Sequence, residues 1–544
     1  MQSRGEDSPA DRLWWYGGTS QPLPPARPPR PRWFRRERPL DAIACLTVAT
    51  LCFSQACRET LFHANWGFYN RTPLSAPILV ALVASIVALA AVGFLGVRVI
   101  RRLPSPAWRR PAAATAAAVL LVALNFVRLT YETLGRWVDA IGPLPWLALV
   151  ALTLALSLAR PAPALRLMRR VVLATAPLAA VTLVLALWMF LEVAAGPVWR
   201  LVDPAPLKTP APSLRRVVWL VLEELDQRIT FEARPAGLEL PELDRLRRES
   251  LYADAARPPA GVTEVSMPAL ITGRPVVTVA PTSPNDLELT FADGKVARWT
   301  AHPNVFSRAR VLGYDTAVIG WRLPYPRVLG PSLGLADWRP SVAAEQARGN
   351  TFARTLENQW ASLVPPANAR RLRAQRFAEL HDLAFRTASD GRFGLVLLHL
   401  PIPEPPGIFD RATGYLTPWN FRGEGGGYFD NLLLADRVIM ELRRRLERTH
   451  LGDRTWLVVT ATRWWRAAKQ YDGQVDYRVP VLVRPPEGGR PRHVDVAFNT
   501  LGAHDLVLSI LRGTIQNTDG AAAWLARQPA APPKNYTSQG RPIY

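Results

Sequence analysis

Apolar residues are unevenly distributed, crowding the first two hundred positions and then breaking into short runs. Five stretches, at about 41–60, 75–97, 112–130, 142–159 and 171–195, approach or reach the roughly 17–25 residues that cross a bilayer as a helix. The first is the most polar, with Asp41 at its start and Arg58-Glu59 near its end. The pattern predicts an α-helical membrane domain of about five spans over 41–197. A Pro- and Arg-rich segment, 1–40, precedes it and is expected to be a cytoplasmic tail, since a cleaved signal peptide would place a short apolar core near the start.

After the last span, "DPAPLKTPAPSL" (203–214) lies within a Pro-rich linker, 198–215, expected to stand the next domain off the membrane. From Arg216 the pattern changes. "VVWLVL", "TAVIGW", "FGLVLLHL", "WLVVTA" and "VPVLV" have the apolar density of buried strands, "PELDRLRRESLYA" and "YFDNLLLADRVIMELRRRLER" have helical spacing, and "LELTFADGKVARWT" reads as a hairpin turning at Asp293-Gly294. Such alternation predicts an α/β domain, 216–515, with helices on both faces of a mostly parallel central sheet. The Pro-, Ala- and polar-rich end, 516–544, is expected to be a flexible tail.

The formal charge of +22 invites a nucleic-acid reading, but its distribution does not support one. The first 215 positions hold 24 basic and 10 acidic residues, a surplus of 14, while the rest hold 42 and 34, a surplus of 8. The membrane-region arginines alternate by connection. Arg27, Arg30, Arg32, Arg35, Arg36 and Arg38 lie in the tail, Arg98, Arg101, Arg102, Arg109 and Arg110 between the second and third spans, and Arg160, Arg166, Arg169 and Arg170 between the fourth and fifth. The positive-inside bias makes these cytoplasmic and puts everything after about Pro197 outside. All three cysteines, Cys45, Cys52 and Cys57, fall in the first span, so the α/β part has neither a disulfide framework nor a thiolate zinc site. Only four lysines stand against 62 arginines, which suggests a GC-rich genome and hence a bacterial inner membrane.

Three places in the α/β part have the residue types for chemistry. The first strand ends in "VLEELDQ", where Glu223, Glu224 and Asp226 suit a hard divalent cation or are simply a solvated acidic loop. In "PPAGVTEVSMPALITGR", Thr263 opens a short helix, either as its N-cap or as a nucleophile beside free backbone N–H groups. "LLHLPIPEPPGIFD" places His399 and Glu404 at another strand end, where a lone histidine is ordinarily a satisfied core residue.

In order and spacing these segments, with "GYDTAVIGWRLPYPR" and the late strand "WLVVTATRWWR", resemble the sulfatase and alkaline-phosphatase superfamily over roughly Arg216 to Arg512, specifically its membrane-anchored sulfatase-like proteins. The resemblance implies an alkaline-phosphatase-like domain and a two-step transfer, in which a nucleophile attacks phosphorus or sulfur with the help of divalent metal: Mg, Mn, Ca or Zn. It puts Thr263 at the nucleophile, Glu223 at the first metal carboxylate, and His399 and Glu404 against substrate. Relatives that use threonine move phosphoalkyl groups between lipids and glycans.

The late strand departs from that pattern. Where relatives carry an adjacent Asp-His metal pair, this chain has Thr462-Arg463, and a guanidinium has no lone pair to donate. Glu404 stands where relatives often have histidine. Either Glu404, Asp226 or Asp472 supplies a replacement metal ligand, or Arg463 takes over the metal's electrostatic role and the domain needs no metal. The first alternative implies a working hydrolase or phosphoalkyl transferase acting through Thr263. The second implies a catalytically impaired domain that binds an envelope polymer, lipid head group or membrane protein. A transporter is disfavoured because the spans hold few ionisable residues, Arg128, Glu132 and Glu192 lying at or near their ends.

Overall fold

The computed structural model describes residues 33–62, 67–102, 106–195, 204–207, 215–486, 488–528, 535–536 and 542–543. Most of the N-terminal tail and much of the linker lie outside them. The N-terminal part is helical: α1 (Trp33–Cys52), α2 (Ser54–Leu61), α3 (Ala76–Arg102), α4 (Arg109–Thr130), α5 (Glu132–Ile141), α6 (Pro143–Ala159), α7 (Pro161–Ala174) and α8 (Ala176–Ala195). Each of the five apolar runs is found in this set, but fewer are long enough to cross a membrane. Three qualify, α3, α4 and the stretch Pro161–Val193, and a fourth if Pro39–Cys52 and Ser54–Leu61, bent by 71°, count as one span. Polar residues follow the bend. In α2 the Ser54 hydroxyl pairs with that of Thr130 at 2.9 Å and Arg58 donates to the Thr130 carbonyl at 2.5 Å, partners a straight apolar helix would not reach. α6, at 17 residues, is at the short end of the spanning range. The outward faces carry exposed valines and leucines such as Val87, Val92, Leu95, Leu147, Leu152, Val184 and Leu187, the surface expected of helices solvated by lipid. At one end of the bundle Asp41 pairs with Arg101 at 2.7 Å and lies 4.0 Å from Arg169, so two arginine-rich connections meet there.

In the α/β part the strands of the main sheet are β1 (Arg216–Glu223), β2 (Leu251–Ala253), β3 (Asp315–Trp321), β4 (Leu335–Arg339), β5 (Phe393–Pro403), β6 (Thr455–Ala461), β7 (Val481–Arg484) and β8 (Arg492–Val494), in the order β8-β2-β7-β6-β1-β5-β3-β4. Only β7 runs against the others. β1 is apolar without alternation because both its faces are covered: Val217, Trp219 and Val221 enter one core, and Val218, Leu220 and Leu222 the other. The covering helices include α9 (Pro241–Arg248), α10 (Thr263–Thr272), α11 (Tyr325–Leu329), α13 (Pro365–Ala388), α14 (Gly423–Arg448) and α15 (Ala503–Arg512), whereas α12 (Phe352–Ala361) packs on α3. Residues 286–298 form the expected hairpin, with Gly294 at φ 79°. The expected flexible tail begins instead with a helix, Thr518–Leu525, whose Ala521 and Leu525 are buried in the core.

The α/β domain is not held off the N-terminal helices. The described piece of the linker, 204–207, lies along the domain, Ala205 N–H donating to the Leu333 carbonyl at 2.8 Å and Arg310 to that of Pro206 at 2.9 Å. The connection between α2 and α3 is seated in it. Phe68 is wholly buried in the same core as Val217 and Trp219, and Arg327 of α11 donates to the carbonyls of Phe68 at 3.0 Å and Asn70 at 2.7 Å. Phe68→Ala is therefore expected to cost about 3–5 kcal/mol, the range for emptying a buried phenylalanine site. Thermal unfolding of the full chain should register it as a lower midpoint in the transition of the α/β part.

Candidate functional site

Parallel strands gather their carboxyl ends on one edge, and β6, β1 and β5 are adjacent, so Thr462, Glu223 and Glu404 are delivered together. The registers tighten this. Leu222 pairs with Ala461 on one side and Leu400 on the other, after which the β5 register slips so that Glu223 faces Pro403. The Thr462 N–H donates to the Leu222 carbonyl at 2.9 Å and that of Glu404 to the Glu223 carbonyl at 3.1 Å. Glu224 and Arg322, which leave β1 and β3, hold φ values of 62° and 69°. Left-handed backbone at non-glycine residues is costly and marks places the surroundings over-determine.

Glu223 is the hub. Its Oε1 accepts from the Thr263 hydroxyl at 2.7 Å and lies 3.0 Å from His399 Nε2; its Oε2 accepts from Thr462 at 2.7 Å and Thr263 at 2.8 Å. His399 Nδ1 lies 2.8 Å from the Tyr325 hydroxyl. Because a carboxylate only accepts, Nε2 carries the hydrogen, and in the neutral ring Nδ1 accepts from Tyr325. The Tyr325 ring fits because residue 320 is glycine: a Cβ there would meet it at 2.0 Å.

Four guanidinium groups enclose the carboxylates. Arg463, wholly buried, lies 3.6 Å from Glu223, 3.1 Å from Glu224 and 2.5 Å from Glu404. Arg373 from α13 donates to Glu404 at 2.8 Å, Arg322 pairs with Glu264 at 2.9 Å and lies 3.7 Å from Glu404, and half-exposed Arg466 pairs with Glu224 at 2.7 Å. Burial pushes carboxyl groups up, yet the Arg463 charge and the His399 hydrogen bond hold Glu223 well below its ordinary value. Burial likewise opposes Glu404, which Arg373, Arg322 and Arg463 hold down. At Glu224 burial prevails, helped by the Glu404 charge against Arg463 and Arg466, and its carboxyl is pushed up.

Six of the residues expected from the sequence thus meet here: Glu223, Thr263, His399, Glu404, Thr462 and Arg463. Thr263 is not the N-cap of α10. That position is Val262, and the Thr263 hydroxyl turns to Glu223 instead. Asp226 accepts from the N–H groups of Ile229 at 3.0 Å and Trp465 at 3.3 Å, a turn-closing role, and burial pushes its carboxyl up to about 6. Asp472 is drawn away by the left-handed turn at Gly473 and holds Arg228 through both oxygens at 2.6 and 3.2 Å. Both are thus engaged away from Glu223. The tryptophans of the late strand end are walls: Trp465 stacks on Tyr428 at 4.1 Å, and Trp464 meets Tyr477 edge-on at 4.8 Å. Arg322, Arg373 and Arg466 were missed. Arg466 stood in the quoted stretch and Arg322 in another; Arg373 sits on a helix where arginine is ordinarily solvated.

The donor set does not fit a divalent metal. Both Glu223 oxygens already face hydroxyl and ring N–H donors, and the next nearest side chain is a cation. Among the described residues no group of three or more His, Cys, Asp or Glu is arranged to hold a metal ion.

A mostly parallel sheet covered on both faces, with a polar cluster at its strand ends, defines an α/β fold class. Solved structures similar to this chain include sulfatases and alkaline-phosphatase superfamily members. The PsFucS1 sulfatase from Pseudoalteromonas sp. is 14% identical over 55% of this chain and 68% of its own, with a TM-score of 0.39. The phosphonate monoester hydrolase of Agrobacterium radiobacter is 13% identical over 55% and 74%, TM-score 0.38, and an alkaline phosphatase superfamily protein from Vibrio parahaemolyticus 14% over 57% and 68%, TM-score 0.35. No family model and no curated protein matches. The likeness is one of fold.

Arg463→Met is expected to destabilise the domain by about 3–5 kcal/mol at neutral pH, because the carboxylates stay buried without their cation. Groups with depressed values contribute stability that is complete above the unfolded value of about 4.3 and lost as pH falls through the folded one. In the variant the Arg463 charge no longer opposes burial, the carboxyl values rise, and acidification relieves the strain. The gap between the two unfolding midpoints should narrow from about pH 7 to about pH 5; a constant gap would contradict the assigned contacts.

Proposed function

We propose that this chain is an integral membrane protein whose extracytoplasmic sulfatase-like domain has exchanged ester chemistry for binding. The observation that carries the proposal is the placement of Arg463 among Glu223, Glu224 and Glu404, where it supplies fixed positive charge at the strand ends. An always-charged guanidinium neutralises carboxylates as a cation does, but it has no open coordination position with which to bind an ester oxygen or a nucleophile as a Lewis acid. The Thr263 hydroxyl is tied to a carboxylate held well below its ordinary value, a weak base for an alcohol. Both Thr263 and Glu223 are wholly buried. An envelope polymer, a lipid head group or another membrane protein is the class of partner such a domain would bind.

The test is metal content and turnover of the purified full chain. The expected result is no stoichiometric Mg, Mn, Ca or Zn by elemental analysis and no hydrolysis of aryl phosphate or sulfate above that of Thr263→Ala. The double variant Thr462→Asp with Arg463→His is expected to gain metal binding. Stoichiometric metal in the native chain with turnover lost in Thr263→Ala would establish the transferase alternative.

Parity supports the orientation. The 67–72 connection is seated on the α/β domain, so both lie on one side of the membrane, which requires an even number of crossings between them. The helices α3, α4, α6 and α8 make four, and α6 then crosses in spite of its length. The arginine-rich connections meet at the opposite end, at Asp41, which is the cytoplasmic side by the positive-inside bias. A membrane-impermeant maleimide is expected to label a cysteine at Val311 in intact cells, and one at Trp108 only after permeabilisation; the reverse pattern would invert the topology.

A further inference from the structure

The α12 helix belongs by sequence to the α/β domain but packs along α3. Ser85 of α3 donates to Gln359 of α12 at 2.7 Å, with both residues wholly buried. Ser85 follows Ile78, near the outer start of the apolar run, and precedes Arg98 at its other end. At about 1.5 Å per residue that run measures about 30 Å, the hydrocarbon thickness of a bilayer, and Ser85 lies about 10 Å inside it. At the same level the other face of α3 presents exposed Val80 and Val87. The bend between α1 and α2 meets the same segment: the Phe53 ring is edge-on to Trp360 at 5.8 Å, and Ala347 N–H donates to the Glu59 carboxylate at 2.7 Å. Thr355 and Asn358, on the inner face of α12, bond to the carbonyls of Thr351 and Arg348 at 2.8 and 2.6 Å, as groups removed from water must. Leu363 joins the apolar cluster formed by α1, α3 and α8.

We propose that residues 345–364 form a re-entrant wedge by which the α/β domain enters the outer leaflet between the α1–α2 bend and α3, with Trp360 and Val364 in contact with lipid. The occupant of this exposed face is the bilayer, because its neighbour α3 is at hydrocarbon depth where the two touch; the inference rests on the reading of α3 as a membrane span. Val364 is 61% exposed beside Leu363, which is packed into the membrane cluster, and Phe352 is exposed at the other end of α12. The exposed Arg354–Glu357 pair, at 2.8 Å, gives the helix the polar rim that an interfacial helix turns to head groups. The domain is thereby seated at a fixed height and orientation on the membrane.

The experiment uses the full chain with Cys45, Cys52 and Cys57 replaced by alanine, reconstituted into phosphatidylethanolamine–phosphatidylglycerol vesicles. Single nitroxide labels are attached at Trp360→Cys, Val364→Cys, Val87→Cys and Val311→Cys, and collisions with oxygen are compared with those with a water-soluble nickel chelate. The expected result is a several-fold higher oxygen-to-nickel ratio at 360, 364 and 87 than at 311. Ratios at 360 and 364 equal to that at 311, with 87 still lipid-facing, would overturn the wedge and leave the span intact. A water-facing 87 would overturn both.

Discussion

The Arg463 guanidinium, wholly buried with Glu223, Glu224 and Glu404 around it, is the interaction on which the ends of the three central strands depend. Each carboxylate removed from water without a partner costs several kcal/mol, and three lie here within reach of one cation. Arg373, Arg322 and Arg466 divide the remaining negative charge, so that the cluster closes as an ion network. Removing the central member would leave the others facing uncompensated acids, which is why it cannot be exchanged for an apolar residue alone.

The two hydroxyls beside it complete the arrangement. Thr462 and Thr263 donate to Glu223 from β6 and from the first turn of α10, filling positions on the carboxylate that a metal would otherwise claim. His399 adds a third donor, itself oriented by Tyr325. The left-handed backbone at Glu224 and Arg322 aims both side chains into the network, and the network in turn holds those conformations.

Much of this was legible beforehand, for physical reasons. Strands buried on both faces must be apolar at every position, so "VVWLVL", "FGLVLLHL" and "WLVVTA" identified the middle of the sheet, and strand ends then located Glu223, His399, Glu404 and Arg463. What sequence proximity obscured was direction. Glu223, Glu224 and Asp226 are neighbours along the chain, yet one enters the cluster, one turns through a left-handed residue towards two arginines, and one closes the following turn. Asp472 is near the strand end in sequence but faces Arg228. The seating on the membrane helices was illegible because it joins segments more than 250 positions apart through single side chains, leaving no periodic signal. The expectation of a domain held off on its linker failed for that reason.

The buried Phe68 also has a temporal meaning. It leaves the ribosome before any strand of the main sheet exists, and its final neighbours, among them Val217, Trp219 and Leu397, are made later. An early loop must therefore wait, apolar side chain uncovered, until the far end of the chain has followed it. The α/β domain for its part completes its core only against a residue already fixed by its flanking helices. In order of synthesis, the helices that flank Phe68 are complete before the core that receives it can form.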